Sequence, residues 1–370
     1  MFEYYAKSRL ALISLDGAVK TIGKPAILGA SIAPDGKHLL VSTTVRPFSY
    51  LQGFWDFPRK IEVWNLNGEV LYTVAEVPLA TNIPIGGVRT GRRDIDWMAN
   101  APATLVWSEA LDGGDPKKEA DHRDQLFTQA APFDKGPKKL VKIEQRFRGV
   151  GYFADLTKIT TTEYDRDRRW IRTLLHDLKE GGEPRVLVDR SLRDRYGDPG
   201  RMVMVPDSAG NYVPMQDGDW IYRSGRGASP KGDLPFLDRQ NLETLQTERL
   251  WGCEEGSYET VVDIVKSSAR GKPTVITRNE TPTTPPNYRI ADLAGGWSRE
   301  LTDFPDPTPQ IRGVKKQLVK YEREDGVPLS ATLYLPAGYK EGTKLPSRRW
   351  KWASPTASTS VSAATVTAPS

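Results

Sequence analysis

Apolar and polar residues alternate along most of this 370-residue chain, in short runs that end at turn-forming residues. Alternation with a period of two predicts β-strands that bury one face. Runs of this kind occupy residues 10–15, 38–43, 104–109 and 170–176, whereas apolar residues at helical spacing are scarce. The sequence therefore predicts a protein built almost entirely from short strands.

Turns rich in Asp, Asn and Gly separate pairs of these predicted strands. Six of them recur at intervals of roughly 40 to 70 residues, beginning near Asp16, Asn65, Asp134, Asp177, Asn241 and Asp292. Repeats of about four short strands are typical of a β-propeller, because radial packing covers both faces of each small sheet. We predict an all-β fold, a β-propeller of about six or seven four-stranded blades in a complete or incomplete set. A β-sandwich is the alternative, but it has too few strands.

The basic character of the chain suggests nucleic-acid binding at first sight, with a net charge of +5 and a pI near 9.0. Four basic residues and no acidic ones lie after Glu341, at positions 344, 348, 349 and 351. Without these four, residues 1–341 carry a net charge of +1. We therefore expect no nucleic-acid partner.

Cellular location has to be inferred from what the sequence contains. The mean hydropathy is −0.51 and no apolar run approaches the length of a membrane span. The first residues lack the pattern of an export signal, so a cytoplasmic location without membrane association is the default expectation. The single cysteine, Cys253, cannot form an intrachain disulfide and is expected to be buried.

The sequence does not contain the motifs of a serine hydrolase active site. The pattern G-x-S-x-G does not occur, and its near misses at 29–33, 227–231 and 296–300 lie in strand- or turn-like sequence. The histidines His38, His122 and His176 are expected to be packed or solvated, and not catalytic. We predict no catalytic residue, no metal ligand set and no cofactor.

One loop carries a suggestive cluster of cations. Arg89, Arg92 and Arg93 lie together in the segment VRTGRRD. Guanidinium groups in a Gly-containing loop can bind a carboxylate in bidentate geometry. We assign these three arginines as candidate substrate-binding residues, with a solvated turn paired locally to Asp94 as the alternative.

Several long phrases of the chain resemble the prolyl oligopeptidase family of serine peptidases, and within it the glutamyl endopeptidase-like branch. The resemblance covers nearly all of residues 1–346. The phrases that carry it are RPFSYL at 46–51, FPRKIEVWNLNG at 57–68, APATLVWSEALDGGDPKKEADHRDQLF at 101–127, RYGDPG at 195–200, GASPKGDLPFLDR at 227–239, TPTTPPNY at 281–288 and LTDFPDPTPQIRGVKKQLVKYEREDGVPLSATLYLPAGY at 301–339.

This resemblance implies a division of the chain into parts. The family joins a β-propeller, which restricts access to peptides and unfolded segments, to an α/β-hydrolase domain that carries the Ser-Asp-His triad. We expect the propeller at 1–320, the first strand segment of a truncated hydrolase domain at 321–346, and a disordered low-complexity tail at 347–370. A reading-frame shift or a truncated gene model would explain that tail, and loss of the domain with a functional tail is the alternative.

The functional expectation follows from this division. The chain is expected to be the propeller portion of a glutamyl endopeptidase-like peptidase, which gates peptide access in the full-length enzyme and is inactive alone. Peptides or unfolded polypeptide segments are the expected partners, and a preference of this branch for glutamate would suit the cluster at Arg89, Arg92 and Arg93. The alternative is a stand-alone propeller that binds peptides or a protein partner.

Overall fold

The computed structural model describes residues 1–155, 157–207, 210–266 and 271–346. These ranges contain one α-helix, α1 (Phe2–Ala6), the 3-10 turns Phe54–Asp56 and Pro309–Ile311, and twenty-eight strands. The chain divides into two compact units, Met1–Gly252 and Cys253–Ser370. No helix in the described ranges has the length and apolar character that crossing a bilayer requires.

The first unit begins with three antiparallel sheets in which each strand pairs with the next along the chain. The first sheet consists of β1 (Ser8–Ile13), β2 (Val19–Ile32), β3 (His38–Thr44), β4 (Arg59–Asn65) and β5 (Val70–Val77). The second consists of β6 (Arg93–Trp97), β7 (Thr104–Ala110), β8 (Asp124–Ala130) and β9 (Lys138–Ile143). The third consists of β10 (Arg146–Tyr152), β11 (Lys158–Asp165), β12 (Trp170–Asp177) and β13 (Arg185–Ser191).

The fourth sheet is less regular, because short hairpins interrupt it. Its strands are β14 (Arg201–Met202), β17 (Gln216–Asp217), β18 (Trp220–Gly225), β21 (Phe236–Asn241) and β22 (Thr247–Gly252). The interrupting hairpins are β15 (Met204–Pro206) with β16 (Tyr212–Pro214), and β19 (Ala228–Ser229) with β20 (Gly232–Asp233).

The second unit contains one four-stranded antiparallel sheet and one hairpin. The sheet consists of β23 (Tyr258–Lys266), β24 (Thr274–Glu280), β25 (Asn287–Asp292) and β26 (Trp297–Glu300). The hairpin consists of β27 (Lys315–Glu322) and β28 (Pro328–Leu335). The predicted domain boundary at residue 321 falls inside β27, and the assignment of this hairpin to a hydrolase domain stays a prediction. The tail predicted for 347–370 lies outside the described residues.

Successive sheets of the first unit pack face to face through separate apolar clusters. Val63 and Val74 of the first sheet pack with Leu105 and Trp107 of the second. The cluster between the second and third sheets contains Met98, Val106, Tyr152 and Ile159. The cluster between the third and fourth sheets contains Phe153, Leu175, Leu187, Ile221 and Leu242. Each fully buried side chain of this type contributes roughly 1.5–3 kcal/mol. This serial burial, each sheet covered by the next, is how propeller blades are stabilised.

The recurring turns have a common chemistry. The side-chain oxygen of Asn65 accepts hydrogen bonds from the amides of Asn67 and Glu69 at 2.9 and 3.0 Å. Asp177 and Asn241 each accept from the amides two and three residues later, at 2.9 and 2.8 Å. Asp and Asn are therefore placed there because their side chains satisfy turn amides that no strand can pair.

The all-β class and the propeller-type sheets are confirmed. The described residues form five sheets of four or five strands and three two-stranded sheets. Five of the six predicted turns join the last two strands of a sheet, whereas the turn at Asp16 joins β1 to β2 inside the first sheet. Two turn signals therefore belong to one sheet, because β2 is long enough to pair with β1 along one half and with β3 along the other.

Candidate functional site

A cleft of about 460 Å³ lies in the first unit, and Arg89, Arg92 and Arg93 all line it. The rest of its lining comes from β2 to β6 and from Trp55 and Phe57, which lie between β3 and β4. Arg93 is the first residue of β6, and the other two lie in the loop of residues 78–92 that precedes it. Gly91 has a φ of +79° in this loop, which glycine adopts readily. The structure thus brings the three predicted residues to one place.

Arg92 ties the first sheet to the second. Its Nη1 donates hydrogen bonds to the hydroxyl of Tyr72 at 3.0 Å and to the carbonyl of Val74 at 2.9 Å, both in β5. Its guanidinium lies 4.3 Å from the ring centroid of Trp107 in β7, a cation–π contact. Arg92 is therefore committed to holding the wall of the cleft.

Arg93 is neutralised by carboxylates of the protein. It forms ion pairs with the buried Asp124 and, at 3.0 Å, with Asp94, and its side chain is only 11% exposed. Asp94 also accepts a hydrogen bond from the hydroxyl of Ser108 at 2.6 Å, and it adopts a φ of 53°. A residue other than glycine in this left-handed region is uncommon and is held by its surroundings.

A buried ionic network extends behind these residues. The side chains of Asp112 and Asp124 are fully shielded from solvent, and Arg146 bridges them at 2.5 and 2.7 Å. Arg123 adds a second cation to Asp112 at 2.9 Å. Burial by itself would raise the pKa of Asp112, but hydrogen bonds from Arg146, the Gly114 amide and Arg123 lower it below its ordinary value.

This network also positions the loop of residues 78–92. Asp112 accepts a hydrogen bond from the amide of Gly114 at 2.9 Å, and the carbonyl of Gly114 accepts one from the amide of Val88 at 3.0 Å. A Cβ at Gly114 would lie 2.2 Å from the carbonyl oxygen of Val88. Only glycine permits this close approach, so the turn fixes the segment that carries Arg89.

Arg89 turns back toward the first sheet. Its Nη1 donates to the carbonyl of Pro78 at 2.5 Å, and its Nη2 donates to a carboxylate oxygen of Asp56 at 3.3 Å. The side chain is 21% exposed. Arg89 therefore keeps a partly accessible guanidinium at the cleft.

Arg59 is a fourth arginine of the cleft, and it was not among the predicted residues. Its Nη2 makes one long contact, 3.5 Å to the carbonyl of Phe54, and its guanidinium lies 5.4 Å from the ring of Trp55. Its Nε is shielded from solvent without a hydrogen-bond partner. Burial, followed by the charge of Arg89, lowers the pKa of Arg59, while Asp56 opposes this shift. Arg59 makes no ion pair with a carboxylate of the described residues. Its place in the alternating segment FPRKIEVW is the only sequence signal for it.

A second cleft of about 340 Å³ lies nearby and shares Asp94 and Asp96 with the first. Tyr152 lines it, and the Tyr152 hydroxyl is buried with no hydrogen-bond partner among the described residues. Burial, and then the charge of Asp96, raise the pKa of this hydroxyl. Tyr152 therefore stays protonated at neutral pH.

The serines of the near-miss motifs lie in strands, where no nucleophile elbow can form. Ser31 lies in β2, Ser229 in β19 and Ser298 in β26. His38 contacts Asp35 at 2.7 Å, and His176 contacts the hydroxyl of Thr161 at 2.8 Å. Within the ranges that the structure describes, no three His, Cys, Asp or Glu side chains are grouped as a metal ion would require.

Comparison with known proteins adds the decisive observation. A probable chloroplastic glutamyl endopeptidase of Arabidopsis thaliana is 36% identical over 373 residues, and one of Oryza sativa subsp. japonica is 35% identical over 370 residues. Each match covers 95% of this chain. Over its own length, the chain is similar to the glutamyl endopeptidases. The resemblance to glutamyl endopeptidases is thereby confirmed. The chain spans only 38% and 39% of the length of the two relatives.

Other comparisons are less close. No family model matches the chain. An acylaminoacyl peptidase in complex with Z-Gly-Gly-Phe-chloromethyl ketone aligns over 93% of this chain and 49% of its own, at 15% identity and a TM-score of 0.46. The acylaminoacyl peptidase of Pyrococcus horikoshii aligns over 87% and 46%, at 14% identity and a TM-score of 0.41. The relatedness to glutamyl endopeptidases rests on sequence identity, and the cytoplasmic location remains a prediction beside relatives named as chloroplastic.

Proposed function

We propose that this chain is the propeller portion of a glutamyl endopeptidase-like serine peptidase. In that role it binds peptides or unfolded segments and gates their access to a catalytic domain. The observation that carries the proposal is sequence identity of 36% over 95% of the chain, in a protein whose sheets follow one another as blades do. The cleft with Arg89, Arg92 and Arg93 is the proposed peptide-contacting surface.

The proposal also holds that the chain alone does not hydrolyse peptides, since its sequence contains no G-x-S-x-G segment. The test is covalent labelling of the 370-residue chain with a fluorophosphonate serine probe, beside an intact glutamyl endopeptidase as positive control. We expect no labelling of the chain. Stoichiometric labelling would overturn the inactive assignment.

The peptide-binding part of the proposal is tested by titrating the chain with peptides. We expect saturable binding of fluorescent peptides to the full chain, measured by anisotropy, and weaker binding after Arg89→Met. Arg168→Met is the matched control, since Arg168 is 62% exposed and does not line the cleft. Absence of binding to any peptide would contradict this role.

A stand-alone binding module is the second candidate function. The cleft lies entirely within the Met1–Gly252 unit, which favours binding that needs no further domain. The two functions differ in one measurement. Adding the catalytic portion of a glutamyl endopeptidase restores hydrolysis of a bound peptide if the chain is a gating domain, and it has no effect if the chain acts alone.

A further inference from the structure

We propose that the second cleft, of about 340 Å³, binds a free amino acid whose side chain is apolar. Asp96 binds the ammonium group of this ligand, Arg148 binds its carboxylate, and buried apolar walls hold its side chain. This binding function goes beyond the gating role and does not depend on peptide binding.

The cleft lies between the second and third sheets of the first unit. The second sheet contributes residues 94–97 of β6, Val106 and Trp107 of β7, and Leu126 of β8. The third sheet contributes residues 147–150 and Tyr152, all of β10. The volume of the cleft is at the lower end of the range of about 300–1,000 Å³ that ligand clefts occupy, which suits a small molecule.

Each of the two strands that bring charged residues to the cleft contains a β-bulge there. The pairing of β6 with β7 shifts its register between Arg93 and Asp96. The pairing of β10 with β11 shifts between Phe147 and Gly149, which leaves Arg148 as the extra residue. A bulge redirects side chains and is common beside functional sites. The two irregular strands therefore bring an acidic and a basic residue to one cleft.

Asp96 carries a negative charge that no described residue neutralises. Its carboxylate accepts a hydrogen bond from the amide of Trp97 at 2.8 Å and forms no ion pair within the described ranges. Asp94, the other carboxylate of the lining, is already paired with Arg93 and accepts from the hydroxyl of Ser108. Asp96 is therefore the anion with which the ammonium group of a ligand can pair.

Arg148 carries the complementary positive charge. Its guanidinium lies 5.0 Å from the ring centroid of Tyr164, and it forms no hydrogen bond or ion pair with Asp96 or any other described residue. A guanidinium has a fork of N–H donors that matches the two oxygens of a carboxylate. A ligand with both charges can therefore pair with both side chains, whereas a ligand with one charge leaves the other side chain unpaired.

The hydroxyl of Tyr152 is an independent indication of a ligand. Tyr152 lines the cleft and is only 8% exposed, and its hydroxyl has no hydrogen-bond partner among the described residues. A buried hydroxyl without a partner is destabilising. The charge of Asp96 acts on this hydroxyl, so an ammonium group beside Asp96 can donate one N–H to it. A water molecule would satisfy the hydroxyl but would leave the two charges unpaired.

The remaining walls favour an apolar side chain over a metal ion. Trp97, Val106, Leu126 and Phe147 line the cleft and are buried. A hard cation such as Ca²⁺ takes about six to eight oxygen ligands, whereas Asp94 and Asp96 are the carboxylates of this lining. A metal ion would also leave the apolar walls without contact. An amino acid with an aliphatic side chain uses both the charges and the walls.

The test is calorimetric titration of the full chain with leucine and with two analogues of its carbon skeleton. Isoamylamine lacks the carboxylate, and 4-methylpentanoate lacks the ammonium group. We expect leucine to bind about 10- to 100-fold tighter than either analogue, because each analogue loses one charged contact.

Variants assign each contact to its residue. Asp96→Asn, which keeps an acceptor for the Trp97 amide, abolishes the preference for leucine over 4-methylpentanoate. Arg148→Met abolishes the preference over isoamylamine, and Tyr152→Phe weakens leucine binding. Arg168→Met is the control and leaves all three affinities unchanged, since Arg168 does not line the cleft. A thermal transition like that of the unaltered chain shows that each variant folds.

The contrary outcomes are separately visible. Absence of leucine binding overturns the site, and so does a leucine affinity that is unchanged in both Asp96→Asn and Tyr152→Phe. Isoamylamine that binds as tightly as leucine overturns the assignment of the ligand as an amino acid, because Arg148 then contributes nothing. Peptide titration with Arg89→Met tests the proposed gating role independently, so failure of one does not imply failure of the other.

Discussion

Replacement of Arg146 by methionine is the sharpest test of the buried ionic network. Arg146 contacts Asp112 at 2.5 Å and Asp124 at 2.7 Å, and both carboxylates have fully buried side chains. Methionine keeps most of the apolar stem of the arginine but removes its charge and its donors. Two buried carboxylates then each lose one cation.

The magnitude follows from what remains around the two carboxylates. Breaking a buried ion pair by removing one partner costs about 3–5 kcal/mol. Asp112 keeps Arg123 at 2.9 Å and Asp124 keeps Arg93, so we expect the lower end, about 3 kcal/mol. In a unit of this size such a loss lowers the midpoint of thermal unfolding by roughly 6–12 °C.

Urea denaturation followed by fluorescence of the ten tryptophans measures this loss. Arg168→Met is the control, since Arg168 is 62% exposed and its ion pair to Asp165 is 3.8 Å long. We expect the control to cost at most about 1 kcal/mol. Equal free energies of unfolding for the two variants, within about 0.5 kcal/mol, would refute the reasoning.

The pH dependence of the same variant has a definite sign. The pKa of Asp112 is lowered in the folded protein, so its contribution to stability is complete above the unfolded pKa of about 3.9 and is lost as the pH falls through the folded value. The cost of Arg146→Met therefore shrinks in strong acid. A cost that stays constant or grows with acidification would show that Asp112 does not carry it.

Three further predictions address other parts of the chain. Gly114→Ala should destabilise by about 1–3 kcal/mol more than Gly113→Ala, because both positions have positive φ but only the first Cβ would meet Val88; equal unfolding midpoints would contradict this. Burial lowers the pKa of His176, so the contribution of His176 to the free energy of unfolding is complete above about pH 6.5 and declines below it. The decline is less than about 1.4 kcal/mol per pH unit, because the group is partly exposed. His176→Gln should reduce the difference in unfolding free energy between about pH 7.5 and about pH 5.5, and an unchanged difference would exclude His176 as its source. Leu318→Lys should decrease self-association measured by light scattering, since Leu318 is 60% exposed on the two-stranded β27–β28 hairpin. Unchanged scattering would mean that the chain does not associate through this hairpin.

The strands were the part of the fold that the sequence predicted well. The segments predicted at 38–43, 104–109 and 170–176 correspond to β3, β7 and β12 with ends that differ by at most one residue. Strand alternation and Asx turns are local, so they can be recognised without knowledge of what packs on them. The number of sheets cannot be recognised from local sequence, because it depends on which strands pair. Two turn signals fall in one sheet, since β2 pairs with β1 along residues 19–26 and with β3 along residues 27–32.

The sequence by itself determined the all-β class, the turn chemistry and the relatedness to glutamyl endopeptidases, because each is written in contiguous residues. It also placed Arg89, Arg92 and Arg93 together, since they are neighbours in one loop. Only the tertiary structure decided what each cation does. Arg93 meets Asp124 across thirty residues of chain, and Arg92 stacks on Trp107 of the second sheet. Arg59, which the sequence did not single out, lies close enough to Arg89 and Asp56 for both charges to act on it, and Asp56 also pairs with Arg89.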